Sequence, residues 1–172
     1  MDKRPCGPFN QNAFVVADME AALDYWTRTM QVGPFFRFPK IEYVEADYRG
    51  TKVAMDYKAA LAFSGDLMIE LIQPISPSIF KEFLDAGRSG VQHFAAFADD
   101  FTAACADLER RGGKRVQGGS FADGSCLAYY DMGGPEPSII EIVHLKPEIL
   151  DLFSAIKAAS VAWDGKTQTV EF

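Results

Sequence analysis

Two glutamates sit in unfavourable company. Glu70 lies inside Ile69-Glu70-Leu71-Ile72 and Glu141 inside Ile140-Glu141-Ile142-Val143, each a short apolar run of strand character. A carboxylate among such neighbours is unfavourable unless it is paired, hydrogen-bonded or bound to a metal. One of them alone is accounted for as the exposed face of an edge strand. Two in matching surroundings are harder to explain that way. Strand alternation lets Glu70 and Glu141 face one way while Ile69, Leu71, Ile140 and Ile142 face the other. The third candidate is His93, one of two histidines in the chain, near the start of the run Gly90-Val91-Gln92-His93-Phe94-Ala95-Ala96-Phe97-Ala98. The fourth comes from a repeat. Gln11-Asn12-Ala13-Phe14-Val15-Val16-Ala17-Asp18 says nearly the same thing as the stretch ending at Asp100, and the offset that lays Asp100 on Asp18 lays His93 on Gln11.

The elements that must position these residues follow the same duplicated plan. Phe9 to Ala17 is a strand, and Asp18 offers its side chain as a helix N-cap. Met19, Ala22, Leu23, Trp26 and Met30 then recur at helical spacing as one apolar stripe. Val32-Gly33-Pro34 ends that helix. From Phe35 to Tyr57 aromatic and β-branched residues alternate with charges, the pattern of exposed strands, with a turn at Arg49-Gly50. Ala59–Ser64 and Leu67–Gln73 are strands about the Gly65-Asp66 turn. Ser78 caps a short helix to about Ala86, with Ile79, Phe80, Phe83 and Leu84 buried. The second half repeats the order: strand Val91–Ala98, cap Asp100, a helix carrying Phe101, Ala104, Cys105 and Leu108, then strands near 115–118, 126–131 and 138–143. Arg110-Arg111 before Gly112-Gly113 is a helix stop. A terminal helix beyond Pro147 puts Ile149, Leu152, Phe153 and Ile156 on one side, and 164–172 is a candidate last strand. The divisions are a lead-in at 1–8, a first βαβββ module at 9–74, a linker with its helix at 75–89, a second module at 90–145, and a helix and tail at 146–172.

Composition narrows the function classes. The 172 residues, 48% of them hydrophobic, suffice for one or two units with a real core. A net charge of −7 lacks the basic footprint of proteins that bind nucleic acid or anionic membranes. Cys6, Cys105 and Cys126 form no CxxC pair, and no apolar run is long enough to span a bilayer. The expectation is a soluble, cytoplasmic protein with incidental thiols. Gly-rich phosphate loops, nucleophile elbows and Cys/His dyads do not occur, so hydrolase and nucleotide-binding readings have no support.

The paired module plan, with Ala13-Phe14-Val15-Val16-Ala17-Asp18, Ile69-Glu70-Leu71-Ile72-Gln73-Pro74 and Gly90-Val91-Gln92-His93-Phe94, resembles the vicinal oxygen chelate superfamily over about residues 9–145. This group includes glyoxalase I, methylmalonyl-CoA epimerase, bleomycin resistance proteins and extradiol dioxygenases. The resemblance implies an α+β fold in which two βαβββ modules form a cupped, mostly antiparallel eight-stranded sheet with flanking helices. It implies a metal site at Gln11, Glu70, His93 and Glu141, drawn from the first and last strands of each module. Three oxygen donors and one imidazole suit a divalent ion such as Zn²⁺, Ni²⁺, Co²⁺, Mn²⁺ or Mg²⁺, and the set resembles that of one class of glyoxalase I. The implied chemistry is proton transfer α to a carbonyl of a small or thioester-type substrate, a lyase or isomerase reaction. Glu141 would be the base, and Glu70 its partner in an epimerase-like variant. Two alternatives stand beside it. A metal-free binding and sequestration protein would use the cup as an aromatic-lined pocket. A ring-cleaving dioxygenase would want two histidines and a carboxylate on Fe(II), and Gln11 stands where one of those histidines would be.

Other residues carry less. His144 lies three residues past Glu141, on the opposite strand face, and is expected to pack rather than ligate. Phe35, Phe36, Phe38, Tyr43 and Tyr48 are ordinary core or line a pocket for an apolar or aromatic substrate. Of Tyr129 and Tyr130, one faces the cup. Arg37, Arg49 and Lys52 are candidates for a substrate anion, or solvated strand residues. A homodimer is expected, since cupped sheets leave apolar flanks.

Overall fold

The computed structural model describes residues 6–171. The strands are β1 (Phe9–Val15), β2 (Phe35–Phe38), β3 (Glu45–Tyr48), β4 (Thr51–Lys52), β5 (Tyr57–Ser64), β6 (Leu67–Pro74), β7 (Gly90–Phe97), β8 (Lys114–Ser120), β9 (Cys126–Asp131), β10 (Ile139–His144) and β11 (Thr169–Glu171). The helices are α1 (Met19–Asp24), α2 (Ile79–Asp85), α3 (Phe101–Arg110) and α4 (Pro147–Val161). Among the described residues, eleven strands join one sheet in the order β11-β2-β5-β6-β1-β7-β10-β9-β8-β3-β4. The duplicated α+β plan is present, each half running strand, helix and three strands, with β1 and β7 antiparallel at the seam. The expectation of eight strands falls short by three. The tail adds β11, parallel to β2. The 39–56 excursion, expected as local strands, crosses to the other half, where β3 pairs antiparallel with β8.

That crossing has a steric cause. A Cβ on Gly119 would stand 2.4 Å from the Tyr43 ring, so only glycine there lets the excursion lie against β8. The β3-β4 hairpin turns at Arg49-Gly50, both with positive φ (49° and 77°), the two-residue geometry that matches strand twist.

Local signals set the helices. Asp18, Ser78 and Asp100 each accept a hydrogen bond from the backbone N–H three residues on, at 3.1, 3.2 and 2.9 Å, caps that contribute about 1 kcal/mol each. Helix α1 runs into a π-helical turn at Tyr25–Thr29. The wider turn shifts the phase of the apolar stripe, so Met19 and Leu23 are buried whereas Met30, expected on that stripe, is 45% exposed.

Alternation in the strands separates two kinds of core. On the outer face, α1 covers Ile69 and Leu71, while α3 covers Ala96 and Ile142. On the inner face, Ala13, Val15, Ile72, Ala95 and Val143 pack with Phe80 and Phe83 of α2. Ile156 of α4, fully buried, packs with Leu61 and Met68 nearer the other end. Cys6 is buried, Cys105 and Cys126 are half-buried, and all three are free. Among the described residues, no helix is long and apolar enough to cross a membrane.

Candidate metal centre

Strand register brings the four sequence candidates to one spot. In one row across the inner face, Glu70 pairs with Ala13, which pairs with His93. In the next, Gln11 pairs with Ala95, which pairs with Glu141. Each row therefore has long polar side chains flanking an alanine. Strand spacing puts the flanking Cα atoms about 10 Å apart, a gap that side chains of this length close over a methyl group. Ala13 and Ala95 are both fully buried, and anything larger at either would fill the site.

Two β-bulges aim the seam residues. Between Ala13 and Phe14 the partner register jumps from His93 to Val91, leaving Gln92 as the extra residue of β7; between Phe9 and Gln11 it jumps from Ala96 to Ala95, leaving Asn10 as the extra residue of β1. A bulge re-aims the side chains around it. Gln92 and His93, adjacent in sequence, can therefore interact: His93 Nδ1–H donates to Gln92 Oε1 at 2.6 Å. An amide oxygen can only accept, so Nδ1 carries a proton, and in the neutral ring Nε2 then presents its lone pair inward.

His93 Nε2 is buried and has no hydrogen-bond partner. It points between Glu141 Oε2 at 3.3 Å and Glu70 Oε2 at 3.8 Å. One donor atom from each of Glu70, His93 and Glu141 lies within 4.8 Å of the others. The imidazole is fixed by Phe80, stacked at 6.0 Å, and by Tyr129, edge-on at 5.1 Å. Gln11 Nε2 donates to Glu70 Oε2 at 2.6 Å. An amide nitrogen cannot ligate an ion, so Gln11 would have to turn its amide over to offer Oε1.

Two ionised carboxylates this close need either a shared proton or a positive ion. At this separation two ionised carboxylates repel by about 3 kcal/mol or more at an effective dielectric of about 20. Burial, and then the charge of Glu141, pushes the Glu70 carboxyl well above the usual range, while the Gln11 hydrogen bond opposes the shift. A divalent ion would answer both carboxylates and the unpartnered nitrogen together. The residues fit one, and the mixed oxygen and imidazole donors suit a hard or borderline metal.

The cluster lies at the floor of a cavity of about 420 Å³, a size that takes a small organic ligand. Its walls are Phe38, Leu61, Val143 and Phe97 of the sheet, Ile41 of the excursion, Phe121 of a loop, and Ile149, Leu152 and Phe153 of α4. Tyr57 and Tyr129 also line it. The Tyr57 hydroxyl meets that of Tyr43 at 2.7 Å, and burial pushes both phenols up, so they stay neutral.

The remaining candidates lie elsewhere. Tyr130 faces the outer side and donates to Glu109 at 2.9 Å. His144 Nδ1–H donates to the Ala98 carbonyl at 3.1 Å. Arg37 pairs with Glu20, Arg49 with Glu82, and Lys52 with Glu45, and none of the three lines the cavity. Tyr48 hydrogen-bonds Glu82. Three features escape sequence reasoning: the orienting role of Gln92, the stacking by Phe80, and the wall supplied by α4. Gln92 stands at the bulge, which no periodicity reveals. The apolar stripe of α4 was visible, but its destination was not.

Paired βαβββ halves, with carboxylate and imidazole donors converging inside the cup, define a protein of the vicinal oxygen chelate type. The model of the Glyoxalase/Bleomycin resistance protein/Dioxygenase superfamily matches residues 10–130, and the chain belongs to that superfamily. No curated protein matches it in sequence. Among solved structures it is similar to a hypothetical protein of Bacillus halodurans C-125, at 15% identity and TM-score 0.61, over 81% of this chain and 94% of that one. It is also similar to methylmalonyl-CoA epimerase from Mycobacterium tuberculosis, at 16% identity and TM-score 0.59, over 88% and 96%. A Streptomyces coelicolor methylmalonyl-CoA epimerase variant in complex with 2-nitronate-propionyl-CoA aligns at 15% identity and TM-score 0.56, over 83% and 96%. At these identities the likeness speaks for the fold.

Proposed function

We propose that this protein is a metal-dependent lyase or isomerase that moves a proton on the carbon next to a carbonyl group. The observation that carries the reading is the buried, unpartnered His93 Nε2 facing Glu70 and Glu141 at the floor of an apolar cavity. Glu70, His93 and Glu141 would hold the ion, with Gln11 as a fourth, weaker donor. Bound there, a divalent ion supplies a Lewis acid for a carbonyl oxygen and thereby acidifies the neighbouring C–H.

The chain's own groups supply the rest. Glu141, through a carboxylate oxygen not held by the ion, takes the proton from the substrate carbon. Glu70, across the site from Glu141, is placed to return a proton in the epimerase-like variant. The apolar walls exclude water that would otherwise compete for it. Similarity to methylmalonyl-CoA epimerases supports the epimerase-like variant. A homodimer belongs to the same reading, supported by Phe9, 43% exposed and stacked on Phe94 beside the seam.

The test is metal analysis of protein purified without chelator, followed by solvent deuterium incorporation into a panel of ketones and thioesters. The expected result is a bound Zn²⁺, Ni²⁺, Co²⁺, Mn²⁺ or Mg²⁺ and exchange that needs the ion and is lost in Glu141→Gln. Sequestration is the better reading if no ion binds and ligands are held without exchange. Fe(II) with oxygen consumption would favour ring cleavage.

A further inference from the structure

We infer that the cup takes an uncharged, apolar carbonyl compound of aromatic size and discriminates against substrates that carry a carboxylate into the cavity along with the reacting carbonyl. This deepens the proton-transfer reading and rests on it for the carbonyl alone.

The inference comes from which charges reach the cavity. Among the described residues, its lining includes no lysine or arginine; its charged members are Glu70, Glu141 and Asp123, all acidic. The basic side chains considered for a substrate anion are committed elsewhere. Arg37, Arg49 and Lys52 each face a glutamate, and Arg115 faces Asp47 at 2.6 Å. Lys146, close to Gly124 and within electrostatic reach of Asp123, does not itself line the cavity. A buried anion needs a paired cation or a fork of donors. Here a divalent ion at the floor would already be answered by Glu70 and Glu141, so the anion would meet no unanswered cation below and hydrocarbon around.

What the cavity offers is the opposite. Phe38, Phe121 and Phe153 present rings, Leu152 and Ile149 present aliphatic surface, and Tyr57 and Tyr129 add neutral phenols. An aromatic or alicyclic body fits these walls by apolar burial and ring contacts, leaving the carbonyl as the one polar group facing the floor. Helix α4 contributes Ile149, Leu152 and Phe153 to this selection, so it is a specificity element as well as a packing one.

Isothermal titration with two probes tests the inference: 2-acetonaphthone, and 3-(2-naphthoyl)propanoate, which adds a carboxylate two carbons from the same carbonyl. The ketone is expected to bind once per chain, and the keto acid about tenfold more weakly or worse, a difference of one affinity decade. Leu152→Trp, which fills the cavity, should abolish ketone binding, and Phe153→Ala, which removes a ring from the wall, should weaken it. Thermal unfolding checks that both variants fold. Equal or tighter binding of the keto acid overturns the inference, as does failure of the ketone to bind, or ketone affinity unchanged in both variants. The preference is set by the walls and should persist in His93→Ala. Absence of proton exchange in the metal-loaded wild-type protein, with the ketone preference intact, therefore sinks the catalytic reading alone. Intact exchange with the keto acid preferred sinks this inference alone.

Discussion

The two halves of the cup share a backbone plan and differ in what stands at the seam. Each has a bulge one residue before its seam donor, at Asn10 in β1 and Gln92 in β7. In the second half the bulge residue is long enough to hold the imidazole: Gln92 Oε1 accepts from His93 Nδ1, and Nε2 is left free. In the first half the bulge residue is shorter. Asn10 Oδ1 is buried without a partner, and Gln11 spends its amide hydrogen on Glu70. The same geometry thus produces one oriented, basic donor and one neutral residue that steadies a carboxylate. Duplication made the site's frame, and divergence at residues 10, 11, 92 and 93 left the imidazole in one half and an amide in the other.

The largest expected effect breaks the stronger half. His93→Ala removes the single nitrogen donor, and bound divalent metal should fall to background by elemental analysis while the protein stays folded. Retention of the ion would place the site elsewhere. Next comes the orienting residue. Gln92→Ala should weaken metal affinity about 10–100-fold, the usual consequence of losing a partner of a ligating histidine, as read by competition with a chromogenic chelator. Asn10→Ala, its counterpart, should leave affinity unchanged, and equal losses in the two would erase the asymmetry.

The smallest effect concerns the carboxylates without metal. Glu70 has its folded-state value raised well above 4.5, so the folded state holds that proton more tightly than the unfolded chain. The associated stability is fully present below about pH 4.5 and is lost as pH rises through the raised value. Denaturant titrations of chelator-stripped protein should show this decline. Glu70→Gln should flatten it, because the neutral amide neither titrates nor repels Glu141, and metal loading should suppress it. A decline unchanged in Glu70→Gln would assign the titration to another group.

Much of this was legible in the chain. The offset that superposes Asp18 on Asp100 showed the duplication, and an acidic residue inside each apolar last strand marked Glu70 and Glu141. Alternation gave their facing, since β6 and β10 are regular. The same local logic failed at Met30, where a π turn changes the helical phase, and at β3-β4, whose partner strand lies in the other half.

The sequence by itself determined the elements, their caps, the repeat and the identities of the donors, because these depend on local geometry and on spacing along the chain. Only the tertiary structure decided that two rows meet over Ala13 and Ala95, that a bulge turns Gln92 toward His93, and that α4 walls the cavity. Those outcomes depend on pairing between residues far apart in the chain. Register across such pairs is chosen by packing and by close approaches such as Tyr43 on Gly119, and no periodicity within one segment records that choice.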